Sequence, residues 1–137
     1  MGHKFAELAF TPNVKAEQAR RGSRRAYERF EQGGDHHNVL GPQESVFISV
    51  RDSFYMATVS ETGWPYIQHR GGPAGFLKVL DEKAIGFADF RGNRQYISVG
   101  NLESDDRVAS FSWTTQTRRD SRFSAVRALS TRLTKKL

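Results

Sequence analysis

The stretch "SFYMATVSETGWPYIQHRGG", residues 53 to 72, decides how this chain is read. It opens with aromatic and β-branched residues, turns at Glu61-Thr62-Gly63, and resumes from Trp64. Ring and branched side chains pack well on a pleated surface, so each half reads as a strand. A short glycine-bearing connection between them reads as an antiparallel hairpin turn. Downstream, "GFLKVL" (75–80), a tight Asp81-Glu82-Lys83 connection and "AIGFADF" (84–90) repeat the pattern. Four short strands on short turns predict an antiparallel meander, a piece of a barrel or sandwich. "DDRVASF" (105–111) starts an expected fifth strand.

Upstream of residue 53 the signals are helical. Thr11-Pro12 combines a capping hydroxyl with proline at the first helical position. Glu17 and Arg21 stand at i,i+4 spacing. Gly22-Ser23 is expected to divide this region into two helices, with Ser23 capping the second, and Gly33-Gly34-Asp35 to end it. The run "RRGSRR" reads as a solvated helix face. Pro42 opens a further short helix over "ESVFISV". His36-His37 points apart on any regular backbone and has no third ligand at metal spacing, so it reads as a loop and no metal site is expected.

Composition limits the function classes. The 137 residues suffice for one small domain with a single core. An apolar fraction of 37% with 12% aromatic residues is that of a folded chain. There is no cysteine, which removes disulfides and thiolate chemistry and fits a reducing, cytoplasmic setting. No run reaches membrane-spanning length, so no membrane partner is expected. The net charge of +6 is unevenly placed: residues 110 to 137 hold seven basic residues and one acid, leaving fourteen of each sign before them. A tail-only excess is a poor footprint for nucleic acid, and none is expected as a partner.

The chemistry gathers in "FADFRGNRQYISVGNL", residues 87 to 102. An apolar run breaks at Arg91-Gly92-Asn93 and resumes with helical spacing, predicting a short helix over 93–100 capped by Asn93 and ended by Gly100-Asn101. A helix start offers free N–H groups and a positive dipole end. Gly92 lets backbone approach closely, and Arg91 and Arg94 supply forked donors of the kind that grip phosphate. A surface turn with solvated arginines fits the same residues. Gln68-His69-Arg70, followed by Gly71-Gly72, ends a strand that a meander would carry towards this turn; an in-out alternation of His69 and Arg70 is the plainer alternative. No Ser-His-Asp set, paired carboxylates or Walker loop occurs. Reactive chemistry, if present, belongs to a bound cofactor.

Taken in order, "FYMATVSETGWPYIQHRGG" and "FLKVLDEKAIGFADFRGNRQYISVGNLESDDRVASF" resemble the pyridoxamine 5'-phosphate oxidase-like family of FMN-binding split barrels. The resemblance spans roughly residues 53 to 111. It implies a mainly β (α+β) fold: an antiparallel FMN-binding split β-barrel with N-terminal helices, dimerising with flavin in clefts between subunits. It implies FMN as cofactor, a homodimer, and a small-molecule substrate or electron donor. Gln68, His69, Arg70 and Gly71 match the strand end that lines the flavin and reaches its phosphate. Ala88, Asp89 and Phe90 match the strand beside the ring, and Gly92, Asn93, Arg94 and Gln95 match the phosphate segment. The implied activity is that of a flavin-dependent oxidoreductase of unassigned substrate; the alternative is a non-catalytic flavin- or haem-binding module, or an inactive truncated member. Departures stand beside the match. Gln95 occupies a position where the oxidases carry lysine, "HRGGPAG" is a glycine-rich detour, and no segment matches the oxidases' pyridoxal-gripping residues. Pyridoxamine phosphate is therefore not carried over as substrate.

The expected organisation is a helical segment over 1–41, a split-barrel core over 42–112, and an atypical basic tail over 113–137. The tail "SWTTQTRRDSRFSAVRALSTRLTKKL" lacks the alternation that the remaining barrel strands need, so the barrel is expected to be incomplete. One account is translation out of frame from Ser110. Allowed codons for the tail, read from each third base, spell "LLMDYPDATRLKILGRARVVDALDEEV", a strand–turn–strand pattern. Sequencing the gene checks it.

Overall fold

The computed structural model describes residues 3–34 and 38–112. His36-His37 and the tail from Trp113, including the out-of-frame account of it, lie outside the described residues. The chain divides into two compact units after Val39.

The first unit is helical. It comprises α1 (Lys4–Ala9), α2 (Pro12–Arg20) and α3 (Arg24–Gln32). The Thr11 hydroxyl accepts the Val14 N–H at 3.5 Å, and Pro12 takes the first helical position, as the sequence predicts. Gly22, at φ +77°, separates α2 from α3. Ser23 does not cap α3: its backbone is already helical, and its hydroxyl donates back to the Gln18 carbonyl. Tyr27 and Phe30, three residues apart, share one face of α3 with Phe10, Phe5 and His3, whose ring lies 4.0 Å from that of Phe30. The helix α1 escapes the sequence reading, since its six residues are too few to show a period.

The second unit carries the sheets. Helix α4 (Pro42–Ser49) opens with Pro42 at its first turn, and the Glu44 carboxylate accepts the Gly41 N–H. Strand β1 (Ser53–Val59) pairs antiparallel with β2 (Pro65–Gly71) through the turn expected at 61–63, where Gly63 sits at φ +87°. Strands β3 (Leu77–Asp81) and β4 (Ala84–Phe87) form a second hairpin, irregular between Val79 and Asp81. Helix α5 (Ile97–Ser104) follows, and β5 (Ala109–Phe111) then pairs with the free side of β1.

The protein is therefore α+β with antiparallel sheets, as expected in outline. The continuous meander is corrected. The strands form a three-stranded sheet ordered β2-β1-β5 and a separate two-stranded sheet β3-β4. The cause is the loop 72–76, which turns away from β2: the Gly72 N–H bonds to the Asp52 carbonyl and the Gly75 N–H to the Arg51 carbonyl. Among the described residues the strands close no barrel.

The core lies on one face of β1. Phe54, Met56 and Thr58 are buried in alternation and meet Ile48 of α4, Phe76 and Leu77 around the start of β3, and Val108. Phe87 closes edge-on against Phe54, with ring centroids 5.0 Å apart. Fully burying a side chain of this size contributes about 1.5–3 kcal/mol, so these few residues dominate the unit's stability. No helix among the described residues is long and apolar enough to cross a membrane.

Candidate functional site

Register decides which site residues share a face. Gln68 stands opposite Met56 and Arg70 opposite Phe54, so both side chains lie on the core face of β2. His69 stands opposite Tyr55 on the other face, with the two rings 5.2 Å apart edge-on. The in-out alternation holds, and His69 does not join Gln68 and Arg70. Gly71 ends β2.

Two side-chain contacts fasten β2 to the segment 89–98. The Ser98 hydroxyl donates to Gln68 Oε1 at 2.8 Å. The Arg70 guanidinium donates through Nη1 to Asp89 Oδ1 at 2.5 Å, and it lies over the Phe87 ring at 5.2 Å. The Arg70 side chain is 13% exposed against 53% for Asp89, so the cation is covered and its counter-ion reaches solvent. Arg70 Nε is buried and has no hydrogen-bond partner.

The predicted phosphate segment has a different form from the one expected. Ala88, Asp89 and Phe90 fall beyond the end of β4, not within it. Asn93 is not a helix cap: α5 begins four residues later, after Tyr96, and runs through Gly100-Asn101 to Ser104. The Asn93 carboxamide instead accepts the Gln95 N–H at 3.2 Å and donates to Gln95 Oε1, a local asparagine turn that replaces the helical bond. The backbone takes positive φ at Gly92 (+48°), Arg94 (+59°) and Tyr96 (+53°), with Asn93 and Gln95 between them outside that region. Left-handed backbone is ordinary for glycine but costs about 1–2 kcal/mol at other residues. Two backbone donors of this stretch are used internally: the Arg94 N–H bonds to the Arg91 carbonyl at 3.2 Å and the Gln95 N–H to Asn93 Oδ1, so the segment is a self-closed turn with the Arg94 side chain exposed.

The supports of this segment were the residues least visible in the sequence. Ser98, Asn101 and Thr58 are all buried, and Asn101 Nδ2 donates to Thr58 Oγ1 at 2.9 Å, clamping α5 to β1. Ser98 and Asn101 at i,i+3 share one face of α5, a signal the reading passed over. Gly72 is a second omission. A Cβ there would stand 2.7 Å from Phe76 Cγ and 2.8 Å from Phe90 Cε2, so only glycine lets Phe90 settle beside the 72–76 loop. Among the described residues no group of three or more His, Cys, Asp or Glu could hold a metal ion.

No family model, curated protein or solved structure matches the chain.

Proposed function

We propose that this chain is an FMN-binding, flavin-dependent oxidoreductase-like protein of the pyridoxamine 5'-phosphate oxidase-like split-barrel family, working as a homodimer. The observation that carries the reading is the alternation of left-handed backbone at Gly92, Arg94 and Tyr96. Two exposed non-glycine residues held in a costly conformation, one residue apart, fit a segment shaped for a ligand better than a plain turn. A phosphate monoester suits it: Arg94 offers a permanent positive charge, and Arg70 a guanidinium with an unused Nε–H.

In this reading the Arg94 side chain holds the phosphate, and Arg70 adds charge from β2. Ser98 and Asn101 keep α5, and hence the turn before it, in register with the sheet. Bound FMN would supply hydride or electron transfer, which no side chain here provides. The residues of this chain bind and orient it. The exposed outer residues of β2, with Ile67 at 64%, and its edge, unpaired among the described residues, suit a partner subunit.

Titrating the protein with FMN, by flavin fluorescence, tests the proposal. Arg94→Ala should weaken binding by about 1.5–3 kcal/mol, the range for a hydrogen bond to a charged group. Arg20→Ala, whose guanidinium is engaged with Glu17 on α2, should leave it unchanged. Equal losses at both positions, or no FMN uptake by the unaltered protein, would overturn it.

A further inference from the structure

The Arg70–Asp89 pair is not needed to hold the sheet together. Cross-strand pairing already positions β2, and Asp89 belongs to the segment after β4, half in solvent. What the pair does is neutralise a covered cation. A charged side chain only 13% exposed is costly without a counter-charge, and Asp89 is the carboxylate that reaches it. Yet Asp89 uses one N–H, at Nη1, and leaves Nε–H buried without an acceptor. The Phe87 ring fixes the guanidinium from one side. Arg70 is thus held in place with its donor capacity incompletely used.

The geometry points to Asp89 as a displaceable internal counter-ion: its carboxylate occupies Arg70 until a dianionic phosphate monoester takes its place. This rests on the reading of Arg70 and residues 92–96 as a phosphate site. The exchange keeps Arg70 neutralised, and Arg94 takes the second negative charge of the phosphate. A monoanionic carboxylate leaves, and a dianion with three acceptor oxygens arrives and satisfies more of the guanidinium fork. Asp89 is free to leave because it is exposed, lies outside any strand, and is three residues from Gly92, at φ +48°. Asp89 therefore lowers the affinity of the site for anions while keeping Arg70 folded and neutralised when the site is empty. A positioning role for Asp89 predicts the opposite sign, since removing the carboxylate would then loosen Arg70 and weaken the ligand.

The test compares Asp89→Asn and Arg70→Lys with the unaltered chain, using FMN and inorganic phosphate as probes and thermal unfolding as the control for folding. Exchange predicts that Asp89→Asn binds FMN about two- to fivefold more tightly, because an ion pair of modest strength no longer competes. Arg70→Lys should weaken FMN and erase the gain in the double variant. FMN binding that is unchanged or weaker in a folded Asp89→Asn protein overturns the exchange and leaves the flavin reading standing. If the unaltered chain takes no FMN, the flavin reading fails, and phosphate decides the exchange by itself. Tighter inorganic phosphate binding to Asp89→Asn upholds it, and equal, weaker or absent phosphate binding overturns it.

Discussion

The helical unit and the sheet unit are held by different forces. In the helical unit the buried apolar residue is Ala6; its helices are tied by tilted and edge-on ring contacts and by the Lys15–Glu31 pair between α2 and α3, while pairs such as Arg20 with Glu17 lie within one helix. In the sheet unit Ile48, Phe54 and Met56 are almost completely removed from water. Exposed ion pairs contribute little each, while buried rings contribute several times more. The candidate site belongs wholly to the sheet unit, and it is pinned there by buried polar contacts, not by the charges that decorate the helices.

The sharpest way to break the comparison is to cut one ring from each unit. Phe54→Ala should destabilise the sheet unit by about 3–5 kcal/mol, since it opens a cavity against Phe76 and Phe87. Tyr27→Ala, at a ring that is 43% exposed, should cost a fraction of that. Chemical denaturation of both variants measures the difference, and equal losses would erase the distinction. Asn101→Ala comes next. It leaves the buried Thr58 hydroxyl without its donor and should cost about 1–3 kcal/mol. Because the same contact registers α5, FMN binding should fall with it.

Arg94→Gly sharpens the contrast between strain and function. Glycine adopts φ +59° without penalty, so stability should hold or rise, by up to about 1 kcal/mol, as flavin affinity drops. A variant that loses stability and affinity together would show that Arg94 is structural.

The smallest effects concern acid. Arg20, then Arg21, holds the Glu17 carboxyl below the ordinary value of 4.5, and Arg24 does the same for Glu31. In the sheet unit, the Arg107 side chain and backbone lower Asp105 to about 2. A lowered folded-state pKa contributes stability that is complete above the unfolded value and is lost as pH falls through the folded one. Carboxyl carbon NMR should therefore give midpoints below 4.5 for Glu17 and Glu31 and about 2 for Asp105, with stability declining over that acid range. Midpoints at ordinary values would show the pairs to be open in solution.

Strands and helix starts were legible because their signals are local. Aromatic and β-branched residues such as Phe54, Tyr55, Thr58 and Val59 mark a strand, and Thr11-Pro12 marks a helix start whatever surrounds it. Sheet order was not legible. A meander and the split β2-β1-β5 and β3-β4 arrangement share the same strands, and the loop that separates them depends on carbonyls of Arg51 and Asp52. The site was half legible. Arg70, Gly92 and Arg94 stood out by residue type, whereas Asn93 was misread as a cap because its own side chain competes with the helix for the backbone. His69 was grouped with its neighbours by sequence, though alternation alone sends it to the opposite face. The Arg70–Asp89 and Gln68–Ser98 contacts span 19 and 30 residues and leave no local trace.

The central claim is that this site recognises a phosphate, and parallel titration of the full chain with FMN and with riboflavin tests it most directly. The two ligands share the ring system and differ in the phosphate alone. The account predicts that FMN binds at least about tenfold more tightly, because one charge-assisted hydrogen bond is worth about 1.5–3 kcal/mol. Equal affinity for both ligands, or binding of neither, would contradict it.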